Sequence, residues 1–217
     1  MNLTDDITRY RLGEGELLYI PHWADDPDML YREATNLSFT PEVIPGRDGK
    51  PVTIKERMTV DYGAEYQYNK YSKRSIPWQP LAVAIRQKLE QQLHGRQLIQ
   101  CAGNRYPNSK GYIAAHVDKN TPINGVSTPP NLIISLSLYA PQARPRHMAF
   151  RPIHKGHETN DLITLTEAVE KQALILELAP GSLVVFNGVL NHMFKHAIPQ
   201  EREETGVRLS LTYREFL

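Results

Sequence analysis

Hydrophobic residues recur at helical intervals in two stretches, both in the first half of the chain. Met29, Leu30, Ala34 and Leu37 follow Asp25-Asp26-Pro27-Asp28. Acidic residues and a proline suit a first turn, so this spacing predicts a helix near residues 26–37. Leu81, Ile85, Leu89 and Leu93 stand four apart between Pro77 and Gly95, opposite a polar face. That pattern predicts an amphipathic scaffold helix over 79–95, capped by the glycine. Elsewhere the period shortens. Glu16 to Ile20 reads as a short strand ending at Pro21, and Pro45 to Lys50 as a turn between extended segments. From Leu98 onward strands dominate: Leu132 to Tyr139, Leu174 to Leu178, Ser182 to Phe186 after the Pro180-Gly181 turn, and Val207 to Tyr213. Helices followed by many short strands predict an α+β chain with a β-sandwich or barrel core. The 217 residues fit one domain, 1–217.

Composition narrows the classes. Hydrophobic content of 41% and charged content of 23% are those of an ordinary globular protein. A net charge of +1 leaves no global field, so a polyanion would need a local patch. The single cysteine, Cys101, excludes an internal disulfide and zinc sites built mainly from Cys. It fits a reducing, cytoplasmic setting. No apolar run approaches the ~18–20 residues of a membrane span, and the N-terminus lacks a signal-peptide pattern. A soluble monomer is expected.

Two local patches stand out. In 51–78, Tyr62, Tyr66, Tyr68, Tyr71 and Trp78 are interleaved with Lys55, Arg57, Lys70, Lys73 and Arg74. Such a mixture suits stacking on bases beside phosphates, and equally a hairpin with aromatic cross-strand packing. Arg144, Arg146, Arg151 and Lys155 form a second basic stretch with no acidic residue among them. It suits phosphate contacts or a solvated loop.

The chemistry centres on His116-Val117-Asp118. On a strand, residues i and i+2 share a face, so an imidazole and a carboxylate would project together. A third ligand is available downstream in His192 or His196. Two imidazoles and one carboxylate with open positions form the non-heme Fe(II) set. Zinc has similar tastes, but no His-Glu-x-x-His motif is present. Arg208, Ser210, Thr212 and Arg214 alternate with Leu209, Leu211 and Tyr213. An inward row of two guanidiniums and two hydroxyls calls for an anionic guest, for which a dicarboxylate is suited. The other reading of this row is a charged edge strand facing solvent.

Together these residues resemble the AlkB-like Fe(II)/2-oxoglutarate-dependent dioxygenases. Asn104-x-Tyr106, His116-x-Asp118, His196 and Arg208-x5-Arg214 occur in that family's order and approximate spacing, with Gly181 to Gly188 similar to the segment before its distal histidine. The resemblance spans about residues 55–214. It implies a double-stranded β-helix (jelly-roll) core over 98–217. Residues 1–50 become an N-terminal extension with a helix, and 51–78 a nucleotide-recognition lid. His116, Asp118 and His196 would hold Fe(II). Asn104, Tyr106, Arg208, Ser210, Thr212 and Arg214 would line the 2-oxoglutarate pocket, Arg208 pairing with the distal carboxylate. The implied reaction is oxidative demethylation of N-alkylated bases in DNA or RNA. It uses O2, converts 2-oxoglutarate to succinate and CO2, and releases formaldehyde. Tyr62, Tyr66, Tyr68, Asn120 and Arg151 would contact the nucleic acid, Tyr62 by stacking on the target base.

The chain departs from the family pattern at Asn120, where many repair members carry an acid, in a longer loop at 121–131 rich in Pro, Asn, Ser and Thr, and in a longer segment at 155–171. Two alternatives stand beside this reading, the first of them supported by these departures. One is an oxygenase acting on a nucleotide, protein or small molecule. The other is a nucleic-acid-binding jelly roll without activity.

Overall fold

The computed structural model describes residues 7–46, 49–64, 66–68, 71–73, 75–153 and 174–216. In chain order the first strands are β1 (Thr8–Leu12), β2 (Gly15–Ile20), β3 (Thr40–Pro45), β4 (Pro51–Gly63), β5 (Tyr66–Tyr68), β6 (Tyr71–Lys73), β7 (Gln100–Tyr106) and β8 (Ile113–His116). They are followed by β9 (Thr121–Ile123), β10 (Val126–Thr128), β11 (Pro130–Tyr139), β12 (Arg146–Pro152), β13 (Leu174–Leu178), β14 (Leu183–Asn187), β15 (Phe194–Ile198) and β16 (Arg208–Phe216). Among the described residues the helices are α1 (Pro27–Ala34), α2 (Pro80–Gln92) and the short α3 (Gly188–Met193). An eight-stranded sheet runs β1-β2-β14-β11-β16-β7-β4-β3, and a four-stranded sheet runs β13-β12-β15-β8. Both are antiparallel, and the fold is a mostly β jelly roll with few helices.

Strand alternation divides the larger sheet into two faces. Ile134, Leu136 and Leu138 of β11, Leu183 and Val185 of β14, and Leu209, Leu211 and Tyr213 of β16 point outward. There they pack with Tyr31 and Ala34 of α1 and with Ala82, Ile85 and Leu89 of α2. On the inward face, Ile133, Val184 and Phe186 meet Met148, Phe150, Leu176 and Ile198 of the smaller sheet. The helices therefore buttress the outer face, and the space between the sheets holds the polar row of β16. That strand is central, flanked by β11 and β7, which removes the edge-strand reading.

Helix α1 starts where acid and proline predict, with the Asp26 side chain accepting from the Met29 N–H at 2.8 Å. At the end of α2 the positive-φ residues are His94 (φ 56°) and Gly95 (φ 86°). Gly95 N–H bonds to Glu90 O and His94 N–H to Gln91 O. This is a Schellman closure in which His94, not Gly95, takes the C′ position.

The expected lid over 51–78 is largely not a lid. Residues 51–63 form β4, paired with β3 on one side and β7 on the other. Tyr62 is fully buried, stacked on Trp78 at 5.6 Å, and its hydroxyl donates to Gln79 Oε1 at 2.7 Å. Burial pushes its pKa up, out of the ordinary tyrosine range. It is a core residue, unavailable for stacking on a base, because its strand position points to the helix-covered face. What leaves the sheet is the short β5–β6 hairpin; the side chains of Tyr66 and Tyr68 lie outside the described residues. The segment 121–131 is likewise no open loop. Asn124 (φ 51°) and Gly125 (φ 79°) close a β9–β10 hairpin with Val126 opposite Ile123, the Asn-Gly turn that fits strand twist. Of the segment 155–171 nothing lies within the described residues. Among the described residues no helix is long and apolar enough to cross a membrane.

Candidate active site

His116 and His196 are direct partners across the β8–β15 pair. Their ring centroids are 4.3 Å apart. Strand β8 ends at His116, so the strand argument does not by itself place Asp118. The Asn191 side chain of α3 does. Its Oδ1 accepts from the Asp118 N–H at 2.8 Å, and its Nδ2 donates to the Asp118 carbonyl at 2.9 Å. The carboxylate then points between the two imidazoles, with Oδ1 3.5 Å from His116 Nε2 and 3.8 Å from His196 Nε2. One donor atom from each residue lies within 4.8 Å of the others. His192, the competing third ligand, is exposed on α3.

Each donor is prepared for a cation. His116 Nδ1 bonds the Ala114 carbonyl at 2.9 Å, leaving Nε2 with its lone pair inward. Arg214 Nε donates to Asp118 Oδ2 at 2.8 Å and Nη1 to Gln100 Oε1 at 3.3 Å. Asp118 Oδ1 has no hydrogen-bond partner among the described residues. Burial alone would raise the Asp118 pKa; the Arg214 charge, with the histidines, holds it well below the usual carboxylate range. His196 is pushed down to about 3, first by burial and then by the neighbouring His116. An ionised carboxylate and a neutral buried imidazole are the forms that ligate a metal. A buried carboxylate oxygen without a partner is costly unless something fills the place it faces. The residues fit a divalent ion.

The cavity beside this triad holds about 440 Å³ of non-atom space, including its open mouth. Asn104, Tyr106, Arg208, Ser210, Thr212 and Arg214 all line it, together with His116 and His196. Arg208 is 1% exposed, and its Nη2 donates to Ser137 Oγ at 2.9 Å. Its Nε and Nη1, like the Tyr106 hydroxyl, are buried without a hydrogen-bond partner among the described residues. The pocket thus has at one end a cation that meets no carboxylate among the described residues, and at the other a metal seat. Ile133, Met148 and Phe186 wall the space between them. Arg214 takes a different part from Arg208, since it is committed to Asp118.

Two expected substrate contacts do not converge on this cavity. Asn120 is exposed and donates to Ser127 Oγ at 3.2 Å across the β9–β10 hairpin. Arg151 alternates with Phe150 on β12, which places it on the face turned away from the cavity. In the basic stretch, Arg146 is fully buried rather than offered to phosphates, and Arg144 pairs with Glu203. Sequence reasoning missed Asn191, Ser135 and Ser137. The serines left a signal, as alternate polar positions in an otherwise apolar buried strand. Asn191 left none, because its partner is backbone 73 residues away.

No curated protein matches the sequence. Among solved structures, a prolyl hydroxylase from Trichoplax adhaerens, in complex with a hypoxia inducible factor oxygen degradation domain peptide fragment, aligns with TM-score 0.53 at 9% identity. The alignment covers 92% of this chain and 83% of that one, a likeness of fold. The 2OG-Fe(II) oxygenase superfamily profile matches residues 31–214, which takes in the triad, the arginine row, the four-stranded sheet and the larger sheet from β3 onward. The chain therefore belongs to the 2OG-Fe(II) oxygenase superfamily and is a dioxygenase that uses Fe(II), 2-oxoglutarate and O2.

Proposed function

We propose that this dioxygenase is AlkB-like and oxidatively demethylates N-alkylated bases in DNA or RNA. His116, Asp118 and His196 hold the iron. Arg208 and Tyr106 donate to the distal carboxylate of 2-oxoglutarate, while Ser210, Thr212 and Asn104 complete its walls. When bound, iron and 2-oxoglutarate supply the oxidising power, and the substrate methyl is hydroxylated and lost as formaldehyde. The protein's own part is positional. Arg214 keeps Asp118 ionised and turned so that one oxygen is free. The Ala114 carbonyl fixes the His116 tautomer. The apolar wall of Ile133, Met148 and Phe186 keeps water from the cosubstrate.

One observation carries the nucleic-acid reading. Strand β4 leaves the large sheet at Gly63, which pairs with Gln100, itself the register partner of Arg214 beside Asp118. The β5–β6 hairpin, whose sequence combines Tyr66, Tyr68 and Tyr71 with Lys70 and Lys73, springs from that end of the sheet. A hairpin whose sequence is rich in aromatic and basic residues, at that end of the sheet, suits a stacked base and its phosphates. A second reading, hydroxylation of a peptide or small molecule, is favoured by the neutral, exposed Asn120 and by the withdrawal of Tyr62 into the core.

The deciding measurement follows succinate and formaldehyde from the iron-loaded protein given 2-oxoglutarate and N-methylated oligonucleotides. Oligonucleotide-dependent formaldehyde matching succinate is expected. Succinate formed with no such formaldehyde would reject the demethylase and leave the second reading.

A further inference from the structure

Arg146 is a buried cation that neither the triad nor the row of β16 explains. It is 0% exposed and lies on the inward face of β12, in phase with Met148 and Phe150. Its Nη2 donates to the carbonyls of Gly111 (2.5 Å) and Pro199 (2.8 Å), and Nη1 to that of Asn108 (3.3 Å). All three acceptors are neutral. Its Nε has no hydrogen-bond partner among the described residues. Glu201, the carboxylate that acts on it from a distance, is itself bonded by the His147 ring and backbone N–H.

The Arg146 guanidinium stands 5.0 Å from the centre of the Tyr106 ring, and that of Arg208 stands 5.3 Å from the same ring. Two buried guanidiniums thus share one aromatic ring, and among the described residues neither is in contact with a carboxylate. Tying three carbonyls together explains the hydrogen bonds of Arg146. It does not explain a charge next to a second charge, because an amide donor would make such ties without repulsion. Burial and the nearby Arg208 depress the Arg146 pKa, so that placement works against its charge. An anion at the Tyr106 hydroxyl and the free edge of Arg208 would relieve it.

We propose that Arg146 is a positioning and selectivity residue of the cosubstrate pocket: acting through Tyr106, it supplies the second positive charge that makes the pocket choose a dicarboxylate over a monocarboxylate 2-oxo acid. The inference rests on the superfamily's cosubstrate and holds whatever the prime substrate is.

The test is calorimetric binding of 2-oxoglutarate and of 2-oxobutyrate, its analogue without the distal carboxylate, to the Mn(II)-loaded protein. Arg146→Gln keeps amide donors for the carbonyls but removes the charge. Its preference for 2-oxoglutarate over 2-oxobutyrate is expected to fall by about ten-fold, the order of one unit charge acting across a ring in a buried site. Binding of 2-oxobutyrate should stay within about two-fold. A preference ratio equal to wild type, however the separate affinities move, would overturn the proposal. Should Arg146→Gln not fold, Arg146→Lys decides. It keeps the charge and is expected to keep the ratio, and a ratio that collapses in the lysine variant would overturn the charge account.

Discussion

At the scale of single residues, the site depends on who holds the ligands as much as on the ligands themselves. Asn191 grips Asp118 by both its N–H and its carbonyl, so the helix preceding His196 fixes the ligand that follows His116. Asn191→Ala leaves a buried donor and a buried acceptor unmatched, at a cost of about 2 kcal/mol of stability. Metal affinity should fall by roughly 10–100-fold, the usual cost of losing an outer partner of a ligand. Isothermal titration with Mn(II) checks it, and unchanged affinity would remove Asn191 from the site. The triad itself was legible: His116-x-Asp118, a distal histidine and an alternating arginine strand are local patterns with a chemical meaning. Asn191 and Arg146 were not legible, because an amide bonding a distant backbone and an arginine bonding three carbonyls look like any surface polar residue until the sheets close. Tyr62 misled for the opposite reason. An aromatic residue among cations signals stacking in a one-dimensional reading, whereas its strand phase sends it into the core.

At the scale of elements, the periodicities of helices and long strands were legible and the hairpins were not. The proline- and asparagine-rich composition of 121–131 suggested a loop, although Ile123-Asn124-Gly125-Val126 carries the turn signal between strand residues. Two glycines with nearly equal φ separate backbone preference from packing. Gly125 (φ 79°) has nothing within 4 Å of where a Cβ would stand. At Gly63 (φ 78°) a Cβ would lie 2.0 Å from the Ile99 carbonyl oxygen and 2.8 Å from the Trp78 ring. Gly125→Ala should therefore cost about 1 kcal/mol, the left-handed conformation alone. Gly63→Ala should cost about 3 kcal/mol or more, since backbone must also move. Chemical denaturation measures both. Equal losses would show that the tight exit of β4, from which the β5–β6 hairpin springs, is not constrained as the geometry indicates.

At the scale of the whole molecule, pH couples stability to the buried site. His196 has its folded pKa depressed from 6.5 to about 3, so between those values the unfolded chain binds a proton that the folded chain refuses. Stability then rises with pH across that window and is lost on acidification below 6.5. At pH 5 the loss from this residue alone is about 2 kcal/mol. Asp118, also depressed, adds a loss only at lower pH, as the medium falls through its folded pKa. His147, raised chiefly by its bond with Glu201, has the other sign. Its contribution is complete below 6.5 and disappears as pH rises through its folded value, so it does not produce the acid loss. The metal-free protein should therefore become less stable from pH 7 to pH 5, and the slope should largely vanish in His196→Gln, which has no titrating ring. Denaturant titrations of both proteins at several pH values give the comparison. A slope that survives the substitution would place the acid sensitivity elsewhere and would contradict a neutral, buried His196 at the metal seat.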